Sequence, residues 1–273
     1  MFIAGGELME VTVDKKAKIA KNRAFELDVL RGIALVLMLY MHFAVDLRYM
    51  FDVDAFDFLE ADWFWAFAHP VFLSIFVGVS GVCCTFSRNN LFRGLKLMAV
   101  AIAFTAGTWI ATEYVGVDCL IIFNVLHLLS LAILLYAMIG FIEEKFKVRA
   151  EVMNAIIGSV AMCAMVYGNT LSVYDYTVDT NVFYTIIGIE TNMPIEVADY
   201  IEVFPWIGFF LAGCLIGRVC YKDRKSLVPK CSGICKKVLA PLDFLGRHSL
   251  IIYIVHQPIM YGVLYLIFSL IGR

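Results

Sequence analysis

The sequence predicts an all-α protein: a polytopic membrane helix bundle of about seven transmembrane helices, with its N-terminus cytoplasmic and its C-terminus outside. Three observations carry that expectation. Hydrophobic residues make up 62% of the 273 positions against 17% charged, with a mean hydropathy of +0.82, far from the balance of a soluble domain. Several segments reach the roughly 20 apolar residues that a bilayer crossing requires. Lys and Arg are confined almost entirely to alternate connecting segments, the asymmetry that orients membrane chains.

The elements follow in order. Residues 1–24, with five Lys or Arg, form a basic cytoplasmic segment. It lacks an apolar core followed by a small-residue cleavage site, so it does not read as a secretory signal peptide. Spans are expected at 29–46, 64–86, 96–114, 119–142, 150–168, 203–221 and 248–271. The piece "NVFYTIIGI" (181–189) is too short to cross and reads as interfacial or re-entrant. Segments 1–24, 87–96, 143–151 and 218–247 carry 5, 3, 3 and 8 basic residues, whereas 46–63, 112–118 and 169–202 hold only Arg48 and the tail adds Arg273. The first set is therefore cytoplasmic, and an odd number of spans agrees. No internal repeat or low-complexity linker interrupts 25–273, which reads as one transmembrane domain.

The eight cysteines do not outline a disulfide scaffold. Cys83, Cys84, Cys119, Cys163, Cys214 and Cys220 fall in or beside spans and behave as small apolar residues. Cys231 and Cys235 flank "SGI" in a basic loop where reducing conditions disfavour a bridge, and two further metal ligands are not at hand. No bound metal is expected. The lipid bilayer is the expected surroundings, and nucleic acid is not an expected partner.

Ionisable groups inside spans cost a few kcal/mol each and mark candidate functional positions. All five histidines lie in or at the edge of spans. His42 falls towards the outer end of the first, His69 at the outer edge of the second, and His127 about two turns inside the fourth. His256 lies about two turns above the inner end of the last span, which His248 marks beside Arg247. In the first span Asp28, Arg31, Leu35, Met38, His42 and Asp46 recur in steps of three and four, forming one stripe. Arg31 and His42 are eleven positions apart, roughly 20° past three full turns and roughly 16 Å along the axis. Asp46, one turn beyond His42, is placed to orient that imidazole and leave one nitrogen as a general base. Arg31 and Arg247 at the inner mouth suit a phosphate-bearing ligand, or snorkel to lipid phosphates. The outer segments carry 14 carboxylates. Their mixture with aromatics in 46–63 suits a sugar or a cationic amine, or simply a solvated acidic face.

Four stretches, "FELDVLRGIALVLMLYMHFAVDL", "FNVLHLLSLAILL", "DYIEVFPWIGFFLAGCLIGR" and "LDFLGRHSLIIYIVHQP", in this order resemble the catalytic-domain family of heparan-α-glucosaminide N-acetyltransferase. The likeness runs from about Phe25 to about Tyr261. The wider superfamily includes sugar O-acyltransferases whose first helix carries an arginine, ten residues and a reactive histidine, a spacing that Arg31 and His42 reproduce. In the heparan-modifying enzyme the position of His42 is aligned with asparagine and the reactive histidine follows in the next loop; here 43–62 holds no histidine.

The resemblance implies a multi-pass acyltransferase of the cell membrane. It would move an acyl group, usually acetyl, from cytosolic acyl-CoA (acetyl-CoA as donor) to a carbohydrate, or another hydroxyl or amine acceptor, on the outer side. On this reading Arg31, Arg247 and His248 hold the CoA phosphates. His42, oriented by Asp46, takes the acceptor proton, His127, Asn124 or His256 donates to the oxyanion, and His69 and Asn124 face the acceptor. A homodimer is compatible with it. The residues alone leave other readings open: a transporter with a histidine proton relay, a haem-binding redox protein, a metal-dependent hydrolase using His42, His127 and His256, or a scaffold.

Overall fold

The computed structural model describes residues 24–116, 119–171, 182–189, 199–223, 225–228 and 233–272. The basic segment expected at 1–24 lies outside them except for Ala24, and the short piece at 181–189 is described from 182. Among the described residues all regular structure is helical. In chain order the α-helices are α1 (Phe25–Val45), α2 (His69–Phe86), α3 (Asn90–Ile110), α4 (Val125–Lys145), α5 (Ala150–Leu171), α6 (Val182–Ile187), α7 (Trp206–Cys220), α8 (Gly233–Arg247) and α9 (Ser249–Ile271). Six of these, with their extensions, are long and apolar enough to cross a membrane, and α7 is a shorter apolar helix. Together these seven answer to the seven expected spans. The protein is a polytopic helical membrane protein.

Helix α8 is the departure. It falls inside 218–247, which reads as a cytoplasmic loop because its "KKVLAPLDFLGR" mixes charges with apolar residues. At 15 residues it is amphipathic rather than membrane-grade.

Contacts divide the chain into two compact units, one of residues 24–76 with 221–272 and one of 77–220. In the first, α1 opens with Glu26 and Asp28 in its first turn, where carboxylates complement the helix dipole. Glu26 also clamps the segment that follows α7, accepting hydrogen bonds from Tyr221 Oη (3.3 Å), Ser226 Oγ (2.6 Å) and the Leu227 amide (2.7 Å). Helix α8 lies antiparallel along the start of α1. A Cβ added at Gly32 would stand 2.0 Å from the Leu242 carbonyl oxygen, and one at Gly246 would stand 1.8 Å from that of Asp28. Only hydrogen fits at either position, so the two backbones touch. At its other end α1 passes into a π-helical turn, Asp46–Met50. The chain then folds back so that Leu59 and Phe64 cover Ala44. Arg48 gathers this loop with Asp54 (2.8 Å), Glu60 (2.7 Å) and Asp57 (3.7 Å).

The second unit holds the later half of α2 and helices α3 to α7. Here too small residues set the packing: a Cβ at Gly213 of α7 would fall 2.0 Å from the Gly78 carbonyl oxygen of α2. Asn89 caps α3 through the Phe92 amide at 2.9 Å, replacing a bond that the first helical turn cannot make. Arg218, at the end of α7, forks onto Glu143 of α4 (2.6 and 2.9 Å) and donates to Asn154 of α5. One side chain so ties three helices.

The crossing of α1 and α8 is testable. Gly246→Ala or Gly32→Ala should lower the unfolding temperature in detergent, by an amount equivalent to about 1–3 kcal/mol or more of overpacking. Gly262→Ala in α9, where an added Cβ meets nothing within 4 Å, should be neutral or slightly stabilising. Equal effects at all three would contradict the packing described.

Candidate functional site

The stripe along α1 faces inward as its period predicts. Asp28 is 4% exposed, His42 8% and Asp46 1%, and Leu35 between them is fully buried. Val36, Tyr40 and Phe43, on other faces of the helix, are exposed. Two polar clusters result within the first unit, one near each end of this helix.

The cluster at the end expected to face outward joins α1 to α9. The rings of His42 and His256 lie 5.0 Å apart at an interplanar angle of 56°. His256 Nδ1 donates to the Tyr253 carbonyl at 2.6 Å. A neutral His256 therefore carries its lone pair on Nε2, the form a general base requires. Asp46 Oδ1 accepts from Gln257 Nε2 at 2.8 Å, and the His42 imidazole is close enough to act on that carboxyl group electrostatically. Asp46 Oδ2 and Gln257 Oε1 are buried and, among the described residues, make no hydrogen bond. Two acceptor atoms on one carboxyl–amide pair thus await donors. Such atoms are costly to leave unmet.

The second cluster centres on Asp28. Arg31 Nη1 lies 3.9 Å from Asp28 Oδ1, and Arg247 Nε lies 3.9 Å from Oδ2. Arg247 also grips Asp243 at 2.6 and 3.0 Å. Among the described residues, two guanidinium groups here meet two carboxylates. Arg247 closes α8 rather than entering the last span, and His248 stands between α8 and α9. The His248 ring lies tilted against Phe244 (4.3 Å) and donates to its carbonyl through Nδ1 at 2.9 Å.

The remaining expected residues have local partners. His69 opens α2 and its ring lies tilted against Trp65 at 5.2 Å, whose indole Nε1 donates to the Leu59 carbonyl at 2.7 Å. In the second unit Asn124 caps α4: its Oδ1 accepts from the Leu126 amide at 3.1 Å and lies 3.0 Å from His127 Nδ1. His127 Nε2 meets Thr105 Oγ1 at 3.2 Å, and Asn124 Nδ2 donates to Asp199 Oδ2 at 3.4 Å. So two of the histidines meet each other, His69 opens α2 beside the folded-back loop of the same unit, and His127 completes a helix cap in the other. Among the described residues no three His, Cys, Asp or Glu side chains gather as a metal site would need. Sequence reading missed Gln257 and Asp243. Gln257 follows His256 directly, but nothing local says that its amide reaches Asp46, 211 residues away.

The segment before α7 contains a further, half-buried acid. Glu202 accepts from Trp206 Nε1 at 3.0 Å, and burial pushes its carboxyl pKa above the ordinary value, more than that hydrogen bond lowers it. Tyr200 nearby, whose hydroxyl donates to the Thr185 carbonyl, is pushed up by burial as well.

The family model described as heparan-alpha-glucosaminide N-acetyltransferase, catalytic, matches residues 23–258, most of the chain. No curated protein and no solved structure matches it.

Glu202 gives a pH prediction. Its folded pKa is raised, so the folded state holds the proton more tightly than the unfolded state does. The resulting stabilisation is full below the unfolded value near 4.5 and is lost as pH rises through the higher folded pKa. Glu202→Gln keeps an acceptor for Trp206 and cannot ionise. Its unfolding temperature relative to the parent should therefore climb as pH rises from about 4.5 and then level off. A pH-independent difference would contradict the assignment.

Proposed function

The chain belongs to the heparan-alpha-glucosaminide N-acetyltransferase catalytic family, and from that premise we propose that it transfers an acetyl group from cytosolic acetyl-CoA to an amine acceptor at the outer side of the cell membrane. The observation that carries the reading is the meeting of the buried His42 with the half-buried His256 beside the Asp46–Gln257 pair. Two imidazoles against a fixed carboxyl group form a proton-handling centre.

The unmet acceptors support an amine rather than a hydroxyl. Asp46 Oδ2, as a carboxylate, and Gln257 Oε1 both require a hydrogen. A hydroxyl has one to give and an amine has two or three. Held there, the acceptor nitrogen lies beside both imidazoles. His42, oriented by Asp46, takes the proton that the nitrogen must lose as it attacks the acyl carbonyl. The same imidazole returns it to the departing sulfur. His256, with its lone pair on Nε2, serves as the second base of the pair. Asn124 and His127 we assign to building the start of α4 rather than to the oxyanion.

The acyl-CoA supplies an activated carbonyl, and the chain has to hold its phosphates. Arg31 and Arg247, converging on Asp28, fit that task, as planar forks that bind phosphate in bidentate fashion. Because Asp28 and Asp243 neutralise them, phosphate binding exchanges carboxylate partners for phosphate oxygens. His248, beside them in sequence, belongs to the same end of α8.

Thiol release from acetyl-CoA in the presence of amine acceptors tests the activity. His42→Ala should lower the rate by about 10²- to 10⁴-fold, the usual worth of a positioned base. Losses under tenfold in both His42→Ala and His256→Ala, with folding intact, would remove this pair from the chemistry. Acetyl-CoA at 100 times its Kd should stabilise the protein by about 2.7 kcal/mol. Arg31→Ala should diminish that shift, and an undiminished shift would place the phosphates elsewhere.

A further inference from the structure

Beyond the Asp46–Gln257 pair the same two chain segments enclose a cleft of about 560 Å³, whose walls include Phe51, Asp52, Tyr261, Tyr265, Phe268 and Ser269. It adjoins the proton-handling centre on both sides. The Phe51 amide donates to the Asp46 carbonyl at 3.1 Å, and Tyr261 is one helical turn, about 6 Å, past Gln257. The walls are aromatic and mutually braced: Phe51 stacks on Phe268 at 4.7 Å and leans on Tyr261 at 5.7 Å, and Tyr261 stacks on Tyr265 at 6.3 Å.

The charge of this cleft has one sign. Asp52 lines it, and Asp54, Asp57 and Glu60 follow in the same loop. Arg48 is the single Lys or Arg between 32 and 87, and residues 249–272 have none. The guanidinium of Arg48 is held by Asp54, Glu60 and Asp57 at 2.8, 2.7 and 3.7 Å. An anion entering here meets the Asp52 carboxylate, and the one guanidinium of the loop, Arg48, is already engaged by three acids. A cation meets a carboxylate and aromatic faces, both of which attract it.

We infer that this cleft is an acceptor subsite for a small cationic amine carried on an uncharged ring, and that it rejects acceptors bearing sulfate or carboxylate groups. The inference rests on the acetyltransferase reading for the word acceptor, but not for the cleft's ligand. It also separates this chain from the acceptor in the family's description, since heparan is a polyanion. Selection comes from attraction for one charge and from like-charge repulsion of the other. The ring would lie among Phe51, Tyr261 and Phe268 with its amine directed towards Asp46 and Gln257, one turn below.

The test measures binding by isothermal titration to the full chain in detergent, with no acyl donor present. The probes are glucosamine and glucosamine 6-sulfate, which share ring and amine and differ in the anionic group. Glucosamine should bind at least about tenfold more tightly, a difference of about 1.4 kcal/mol. Asp52→Asn should erase most of that preference. Asp52 has a φ of +50°, a left-handed conformation that asparagine also tolerates, so this substitution preserves the turn while removing the charge. Equal or tighter binding of the sulfated probe, binding of neither, or a preference unchanged by Asp52→Asn would each overturn the inference. Charge-selective binding without any acetyl transfer would support the cleft while the acetyltransferase proposal fails. Acetyl transfer that favours the sulfated probe would do the reverse.

Discussion

A carboxyl group buried inside a membrane helix has to be held by other polar groups, or the helix is destabilised by several kcal/mol. Asp46 is such a group, 1% exposed, and much of the first unit follows from it. Its partner Gln257 fixes where α9 lies against α1. That registry sets His256 against His42 and Phe268 against Phe51. The π-helical turn at Asp46–Met50 then sends the chain back over α1, with Arg48 gathering its acids. One buried acid thereby links packing, the histidine pair and the cleft.

The other end of α1 obeys a different rule. There the contact is made by what is missing, two side chains, at Gly32 and Gly246. Because the backbones touch, Arg247, the residue after Gly246, is carried to within 3.9 Å of Asp28. Arg31 reaches the same carboxylate from one turn along α1. Backbone packing thus determines which charges meet.

Legibility from sequence divided along the same line. Spans were readable because membrane-grade hydrophobicity is a local and strong signal, and the three-and-four spacing of Asp28, Arg31, His42 and Asp46 marked the inward face of α1. Helix α8 was not, because its lysines, Pro241 and Asp243 lower its hydropathy to that of a loop. Its packing on α1 depends on glycines whose partners lie about 200 positions away. Gln257 was hidden for the same reason: a neutral amide has no signature until its distant partner is known. Asn124 and His127 show the converse. "NVLH" also fits a cap residue with its third helical neighbour, and the structure uses the pair in that way. Charge placement indicated Arg247 near one membrane face, but not that it closes a separate helix.

The pairing of Asp46 with Gln257 also has a consequence in time. The two residues are separated by 211 positions, so at roughly 5–20 residues per second Gln257 is made on the order of 10–40 s after Asp46. Throughout that interval α1 sits in the membrane without its final amide partner, and α8 and α9 do not yet exist to cover its polar face. The second unit, residues 77–220, is synthesised entirely within the gap. Biogenesis of the first unit is therefore a wait for its own C-terminal helices, during which the nascent chain depends on the insertion machinery, on lipid headgroups or on chaperones to shelter an exposed acid.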